Sequence, residues 1–281
     1  MSRILQKVAP IGESREKALL KGSTRYVYQS RPQGDVHAHV FAPEERPVSP
    51  CPIILFFHGG FWDSPMPSQF VPHCMHFVSR GCIAIAVETR TSSRHATGPI
   101  EAIEDARDAI RWARHNADTF HIDPAKLTLM GSAGGALVAL LATMPKEKDL
   151  PPVDGLDCRP QALVLFSPLV DCTKSGVAHD RFPSPASAKA HSPCKLVRRK
   201  LPPMLIFHGK ADRVIPFAQV ERFHRAMRWR GNRCSLIDFD RAEHSFFNFN
   251  VSHQLFEHTV AATDHFLTDL GLLDPAPETP F

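Results

Sequence analysis

Runs of large apolar residues, separated by segments of helical periodicity, are the dominant pattern of the chain. Residues 53–57 are five consecutive large apolar residues, and His-Gly-Gly follows them. This pattern is typical of a strand buried on both faces of a sheet. A shorter stretch at residues 37–43 alternates between apolar and polar positions and predicts another strand. Further strands are predicted at residues 81–90, 126–130, 161–168, 203–209 and 234–240.

Helical periodicity follows several of these predicted strands. Between residues 101 and 117, apolar positions 103, 106, 110 and 113 recur every three or four residues, which is the spacing of one helix face. Other helices are predicted at residues 134–144, 217–231 and 253–271. Strands that alternate with helices favour an α/β fold, in which a mainly parallel sheet is covered by helices on both faces. Functional residues of such sheets lie on loops beyond the carboxyl ends of the strands.

The pattern weakens at both ends of the chain and once in the middle. Residues 1–50 are mixed and polar, and we interpret them as an N-terminal segment that packs on one α/β domain of residues 51–273. Residues 171–203 are rich in Ser, Ala, Pro and Lys, which predicts a loop or small lid over the strand ends rather than a second domain. Residues 274–281 are predicted to form a C-terminal tail.

Composition and charge narrow the class of protein. Apolar residues make up 43% and charged residues 22% of the chain, as in ordinary globular proteins. The net charge of +4 is a weak basic bias, which favours a solvated helix face over a nucleic-acid surface. No segment has the roughly 20 apolar residues of a membrane span, and the first residues lack the apolar run of a secretory signal. We therefore expect a cytoplasmic protein that binds neither nucleic acid nor a membrane.

Cysteine spacing and glycine motifs bear on cofactors. The seven cysteines are scattered, odd in number and without a C-x-x-C pair, which argues against a disulfide framework and against a zinc site. Neither a nucleotide-binding glycine fingerprint nor a cluster of metal ligands is evident. The sequence thus predicts no cofactor and no metal, and it carries no signal for an oligomeric state.

The segment KLTLMGSAGGALVALL, residues 126–141, predicts a strand, a sharp turn that carries a serine, and a helix. A nucleophile elbow reads G-x-S-x-G, with the serine at the apex of a strained turn. In the serine-centred register, Ser132 is the apex and Gly134 fits, but Met130 replaces the first glycine. In the alanine-centred register both flanking glycines fit, but the apex is Ala133 and the site is inactive.

Three further pieces lie at predicted strand ends. Gly59 and Gly60 follow the first buried strand, and glycines let backbone N–H groups turn toward a developing oxyanion. Asp212 and His244 follow the last two predicted strands. A serine needs a base to take its proton, histidine suits that task near neutral pH, and a carboxylate fixes the imidazole tautomer. Each residue alone has a structural interpretation, but four pieces in this order favour catalysis.

With these motifs the chain resembles the α/β-hydrolase superfamily, and within it the carboxylesterases and lipases of the hormone-sensitive-lipase and acetyl-ester-hydrolase kind. The similarity runs from about residue 50 to about residue 270. The matching motifs are HGGF (58–61), GSAGG (131–135), HGKADRVIP (208–216) and EHSFFN (243–248). The resemblance implies an α/β-hydrolase fold, a catalytic domain over residues 51–273, and hydrolysis of a small carboxylic ester through an acyl-enzyme.

The resemblance also implies a role for each candidate residue. Ser132 would be the nucleophile, His244 the general base and Asp212 the acid. An oxyanion hole would form from three backbone N–H groups, those of Gly59, Gly60 and Ala133. The order S-A-G-G matches the family's elbow from the serine onward, so we predict the serine-centred register and reject the alanine-centred one. Met is unbranched and adaptable, which makes a slightly opened elbow compatible with Met130.

Two other functions share this fold. A prolyl-oligopeptidase-like peptidase usually carries an extra N-terminal domain, for which about 50 residues leave no room. A non-catalytic ligand receptor typically loses a triad residue, and only Met130 favours that interpretation.

The short, polar segments around the predicted domain offer little apolar surface for a lipid tail. We therefore expect short-chain esters, with acyl groups of roughly two to six carbons and acetylated sugars among the candidates.

Overall fold

A single mixed sheet organises the computed structural model, which describes residues 16–45, 47–149 and 151–275. Within those residues the sheet has eight strands in the order β1-β2-β4-β3-β5-β6-β7-β8. The first two pairings, β1 with β2 and β2 with β4, are antiparallel, and all pairings from β4 to β8 are parallel. The strands are β1 (Thr24–Arg31), β2 (Gly34–Phe41), β3 (Cys51–Phe57), β4 (Ile83–Val87), β5 (Ile122–Ser132), β6 (Ala162–Phe166), β7 (Met204–Gly209) and β8 (Cys234–Phe239).

Helices cover both faces of this sheet. They are α1 (Val71–Ser79), α2 (Ser92–His95), α3 (Pro99–His115), α4 (Ala117–Phe120), α5 (Ala133–Thr143), α6 (Pro185–Ala190), α7 (Phe217–Trp229) and α8 (His253–Asp269). Short 3-10 turns lie at Leu20–Gly22, Pro67–Phe70, Glu147–Asp149, His179–Arg181 and Pro193–Lys195. In the part of the chain that the structure describes, no helix is long and apolar enough to cross a membrane.

The core is divided by the sheet into two apolar layers. Alternate side chains of β3 enter opposite layers, with Leu55 on one face and Phe56 on the other, as strand geometry requires. The first layer packs against α3, α5 and α7, and the second against α1 and α8. The predicted α/β-hydrolase architecture, a mainly parallel sheet with helices on both faces, is confirmed.

Two of the longer elements were not predicted from the sequence pattern. Strand β1 is an edge strand with mostly exposed side chains, so it lacks the apolar run that marks the inner strands. Helix α1 carries two histidines and a proline among its nine residues, which obscures its apolar positions Val71, Cys74 and Phe77. These three recur at every third residue and pack into the second core layer. Their spacing was the available signal for a helix.

The N-terminal segment and the predicted lid at residues 171–203 have defined contacts. Strands β1 and β2 lie within residues 1–50 and extend the sheet, and Tyr28 Oη of β1 donates to the carbonyl of Glu88 at 2.6 Å. In the 171–203 segment, the Arg181 guanidinium pairs with Asp63 at 2.6 Å. The division of the chain at residues 50 and 273 stays a prediction, and residues 1–15 and 276–281 lie outside the described residues.

Candidate active site

The turn after β7 and the loop after β8 bring an acid and a histidine together. Nδ1–H of His244 donates to Oδ2 of Asp212 at 2.7 Å. The other carboxylate oxygen accepts the backbone N–H groups of Val214 at 2.8 Å and Ile215 at 2.9 Å. Three donors therefore fix the carboxylate, and the carboxylate fixes the imidazole tautomer with the lone pair on Nε2. A histidine held in this way can accept a proton from a nucleophile.

Burial and hydrogen bonding shift the pKa of Asp212 in opposite directions. Burial by itself would raise the pKa of its carboxyl group, but the hydrogen bonds from His244, Ile215 and Val214 outweigh burial and lower that pKa. The side chain is therefore ionised at neutral pH. Nearby, Nε2–H of His208 donates to the Ile215 carbonyl at 2.9 Å, and burial lowers the pKa of His208. His208 thus has a structural role in shaping the turn that carries Asp212.

The elbow after β5 has its strained residue one position later than predicted. Ser132 is extended, with φ −122° and ψ 148°, and pairs with Phe166 of β6 as the last residue of its strand. The next residue, Ala133, has a φ of +45° and begins α5. A left-handed φ on a residue other than glycine is typical of a strained turn at a functional site. The apex of the turn is therefore Ala133.

Glycines on either side of Ala133 let the strand and the helix cross closely. A Cβ on Gly131 would lie 2.7 Å from the carbonyl oxygen of Gly135. A Cβ on Gly135 would lie 2.2 Å from the carbonyl oxygens of Phe57 and His58. Neither position has room for a side chain, so the two small residues of the elbow are Gly131 and Gly135.

This geometry corrects the predicted register. The alanine-centred register, rejected from the sequence, is the one that the backbone adopts. The packing and pairing of β5 explain this register. Leu129 and Met130 are buried in opposite core layers, and the pairing of β5 with β6 continues to Ser132. The turn then begins one residue later than the S-A-G-G order suggests. Met130 is a core residue of β5, and the role of Ser132 as nucleophile stays a prediction.

The Ser132 hydroxyl is bound to a residue that the sequence did not single out. Its Oγ donates to Oε1 of Gln69 at 3.1 Å, and among the described residues it makes no hydrogen bond to His244. Nε2 of Gln69 in turn donates to Oδ1 of Asn248 at 3.2 Å. Gln69 therefore connects the serine to the loop that carries His244. Gln69 belongs to no motif, and Asn248 is the last residue of the EHSFFN motif but was given no role there.

The two glycines after β3 lie beside Ser132, and their predicted role in an oxyanion hole stays a prediction. A Cβ on Gly59 would lie 2.5 Å from Oγ of Ser132, so only glycine fits there. The Gly59 N–H donates to Oε1 of Gln69 at 2.6 Å. Nδ1–H of His58 donates to the Gly59 carbonyl at 2.9 Å, the structural bond that fixes this loop. Gly60 has a φ of +97°, and its carbonyl accepts the N–H of Gly134 at 3.2 Å.

An aromatic wall borders the elbow. Trp62 is buried, has a φ of +62°, and would lie 3.2 Å from a Cβ on Gly134. Its ring meets that of Phe182 edge-on, with ring centroids 6.2 Å apart. Phe182 belongs to the 171–203 segment, so this segment covers part of the wall. The elbow is therefore flanked on this side by apolar surface, which suits contact with a small apolar group.

Two histidines and an arginine surround Glu88 at the end of β4. His39 binds its carboxylate at 2.8 Å, and His37 and Arg94 lie at 3.4 Å and 3.3 Å. Burial would raise the pKa of Glu88, but the hydrogen bond from His39 and the neighbouring charges lower it to about 2. Among the residues that the structure describes, no set of three or more His, Cys, Asp and Glu side chains has the spacing of a metal site. This cluster is an ion-pair network at the end of β4.

Comparison with known proteins identifies the family. The model of a family with the α/β hydrolase fold matches residues 54–248, which is more than half of the chain. The chain therefore belongs to the α/β-hydrolase family.

Curated relatives include two esterases of Mycobacterium tuberculosis. Esterase LipQ is 28% identical over 222 residues, which cover 73% of this chain and 52% of LipQ. Esterase LipC is 29% identical over 231 residues, which cover 73% of this chain and 56% of LipC. The chain thus spans about half the length of the curated relatives it matches.

Solved structures match over nearly the whole length of both chains. Esterase Est2 of Thermogutta terrifontis with bound propionate is 33% identical, with a TM-score of 0.84 over 92% of this chain and 98% of that chain. The same esterase phosphorylated by paraoxon gives a TM-score of 0.83 and covers 92% and 97% of the two chains. At this identity the likeness supports membership of one family as well as a shared fold.

Proposed function

We propose that the chain is a carboxylic ester hydrolase that cleaves short-chain esters through an acyl-enzyme on Ser132. One observation carries the proposal: a hydrogen-bonded Asp212–His244 pair and the Gly59 N–H, which already binds a carbonyl oxygen, lie at the same edge of the sheet. The esterases among its relatives support this reaction class. They include an acetylxylan esterase of Xylanibacter ruminicola, 27% identical over 157 residues that cover 51% of this chain and 31% of the relative.

The proposed reaction divides into two half-reactions. Oγ of Ser132 attacks the ester carbonyl carbon while Nε2 of His244 takes its proton, and the ionised Asp212 stabilises the resulting imidazolium. The oxyanion accepts hydrogen bonds from the backbone N–H groups of Gly59, Gly60 and Ala133. Collapse breaks the bond to the alkoxy group, which leaves with the proton from His244. Water, deprotonated by the same histidine, then releases the acid and restores the serine.

The aromatic wall supports a preference for small acyl groups. Trp62 packs at the elbow, and the ring of Phe182 packs edge-on against the ring of Trp62. The Asp63–Arg181 ion pair lies beside these rings and offers no apolar surface for a long acyl chain. Acetyl to hexanoyl esters, including acetylated sugars, are the substrate class we propose.

A specific observation favours a second candidate function, a non-catalytic ligand receptor. The elbow apex is Ala133, whose methyl group cannot attack an ester. Ser132 is one residue before the apex and is bound to Gln69 instead of His244. A receptor would retain the aromatic wall and the acid–histidine pair without turnover.

Turnover of p-nitrophenyl acetate and butyrate separates the two candidates. The ester hydrolase should turn over both, and Ser132→Ala should lower kcat by several orders of magnitude because the nucleophile is lost. Ser245→Ala, which removes an exposed hydroxyl next to His244, is the matched control and should leave kcat unchanged. Equal rates for Ser132→Ala and the wild type would remove Ser132 from the mechanism.

A further inference from the structure

Oε1 of Gln69 occupies the position that the proposed mechanism reserves for the substrate. It accepts the Gly59 N–H at 2.6 Å and the Ser132 hydroxyl at 3.1 Å. The first of these donors would stabilise the oxyanion, and the second is the proposed nucleophile. An amide carbonyl at this point imitates an ester carbonyl. A substrate oxygen cannot approach the Gly59 N–H while Oε1 of Gln69 remains there.

The segment that carries Gln69 is fixed on both sides. Ser68 is held by Glu16, whose carboxylate accepts its backbone N–H at 2.8 Å and also its hydroxyl. Phe70 is buried and stacks on Phe247, with ring centroids 6.0 Å apart. The backbone at Gln69 is thus anchored, and the free movement left to the residue is rotation of its side chain.

A contact between side chains holds Gln69 in this orientation. Nε2 of Gln69 donates to Oδ1 of Asn248, four residues after His244. With the amide nitrogen bound there, the carbonyl oxygen points to Gly59 and Ser132. Loss of this one hydrogen bond between neutral groups would free the amide to turn.

We propose that Gln69 is the gating residue of this site: its side-chain carbonyl fills the oxyanion hole of the resting protein and holds Ser132 away from His244. This inference rests on the proposed function. Entry of an ester displaces the carbonyl, which frees the Gly59 N–H and the serine together. A developing oxyanion is a stronger acceptor than a neutral amide, so negative charge in the transition state favours the open position.

The gate has a measurable consequence for affinity. The apparent affinity for any ligand of the hole equals the intrinsic affinity multiplied by the fraction of molecules in which the hole is open. Butyrate, the acid product of a butyryl ester, is a suitable probe because a carboxylate oxygen can accept the Gly59 N–H without any reaction at Ser132. Its dissociation constant can be measured by titration of backbone amide signals, with sodium chloride as the ionic-strength control.

Gln69→Met is the decisive variant, because methionine keeps the length of the side chain and removes the carbonyl. It should bind butyrate about fivefold more tightly than the wild type, as expected for the loss of one competing hydrogen-bond acceptor. Gln69→Glu, which keeps an acceptor and adds negative charge, should bind butyrate less tightly. A purely structural role would weaken binding in both variants.

A matched control is Gln161, the residue directly before β6. Oε1 of Gln161 also accepts a backbone N–H, that of Leu127 at 2.9 Å, but far from the elbow. Gln161→Met should leave butyrate affinity unchanged. Asn248→Ala leaves Gln69 intact and should tighten binding in the same direction by a smaller factor, which keeps the test informative if Gln69→Met does not fold.

Butyrate affinity and turnover separate the gate from the proposed function. Tighter butyrate binding by Gln69→Met and Asn248→Ala, but not by Gln161→Met, supports the gate even if no variant hydrolyses esters; in that case only the hydrolase proposal fails. Unchanged or weaker binding by folded Gln69→Met and Asn248→Ala overturns the gate. Equal tightening by Gln69→Met and Gln161→Met overturns it too.

Discussion

The two halves of the candidate active site differ in how far their geometry is already arranged. In the acid–base half, Asp212 receives hydrogen bonds from His244 and from two turn amides. In the nucleophile half, Ser132 is an extended strand residue bound to Gln69, and the turn apex is Ala133. The acid–base half already has the hydrogen bonds that proton transfer requires, whereas in the proposed mechanism the nucleophile half must exchange a hydrogen bond before it can react.

The difference comes from how each half is built. The acid and the histidine follow neighbouring parallel strands, β7 and β8, so the sheet itself brings their loops together. The serine depends on where a strand ends and a helix begins, and this boundary is set by core packing of Leu129 and Met130. A shift of one residue moves the hydroxyl to another side of the chain. The placement of the acid–base half therefore depends less on the exact end of one strand than the placement of the elbow does.

The largest expected effect is on the acid–base half. Asp212→Asn should lower kcat for p-nitrophenyl butyrate by about 10⁴, because an amide no longer fixes the imidazole tautomer or stabilises the imidazolium. Asp240→Asn, at an exposed acid paired with Lys210, is the matched control and should keep full activity. A loss of less than tenfold in Asp212→Asn, with the fold intact, would show that this half does not support catalysis.

A second substitution tests the elbow. Ala133→Ser places a hydroxyl at the apex of the turn, where a family nucleophile stands, and in the Ser132→Ala background it should raise kcat by about 10²-fold, as base-assisted activation typically contributes. The measurement is steady-state hydrolysis with Ser132 either present or replaced by Ala. If Ala133→Ser lowers the rate in both backgrounds, the alanine-centred register is wrong.

The smallest effect concerns the support behind Gln69. His73 is buried against Phe70 and Phe247, neither ring nitrogen has a hydrogen-bond partner among the described residues, and burial lowers the pKa of His73 to about 3. The unfolded chain, with a histidine pKa of about 6.5, binds more protons between pH 6.5 and pH 3, so stability falls as pH falls through this window. Between pH 6.5 and pH 5 the loss should be about 2 kcal/mol.

His73→Phe isolates this contribution. Urea unfolding of the wild type and the variant at pH 6.5 and pH 5 gives the free energy of unfolding of each at both values. The variant should lose less stability on acidification, since phenylalanine fits the aromatic cluster and binds no proton. Identical pH dependence of the two proteins would show that His73 is not kept neutral by folding.

Much of this architecture could be predicted from local sequence. The inner strands are continuous apolar runs, and the glycines, Asp212 and His244 follow them at recognisable positions. Strand β1 could not be predicted because an exposed edge strand lacks such a run. The elbow register could not be read from the motif because it depends on strand pairing with β6. Gln69 and Asn248 are 179 residues apart, and no local pattern predicts such a contact.

Covalent labelling tests the central claim, that Ser132 becomes an activated nucleophile once it leaves Gln69. A fluorophosphonate reacts quickly only with a hydroxyl that has a base in reach and an oxyanion hole behind it. Tryptic cleavage should release residues 127–146, LTLMGSAGGALVALLATMPK, which contain one serine. We expect the mass shift on Ser132 in the wild type and its loss in Ser132→Ala, with Ser245→Ala labelled normally. A folded wild type that carries no label, or carries it on another serine, would contradict the account.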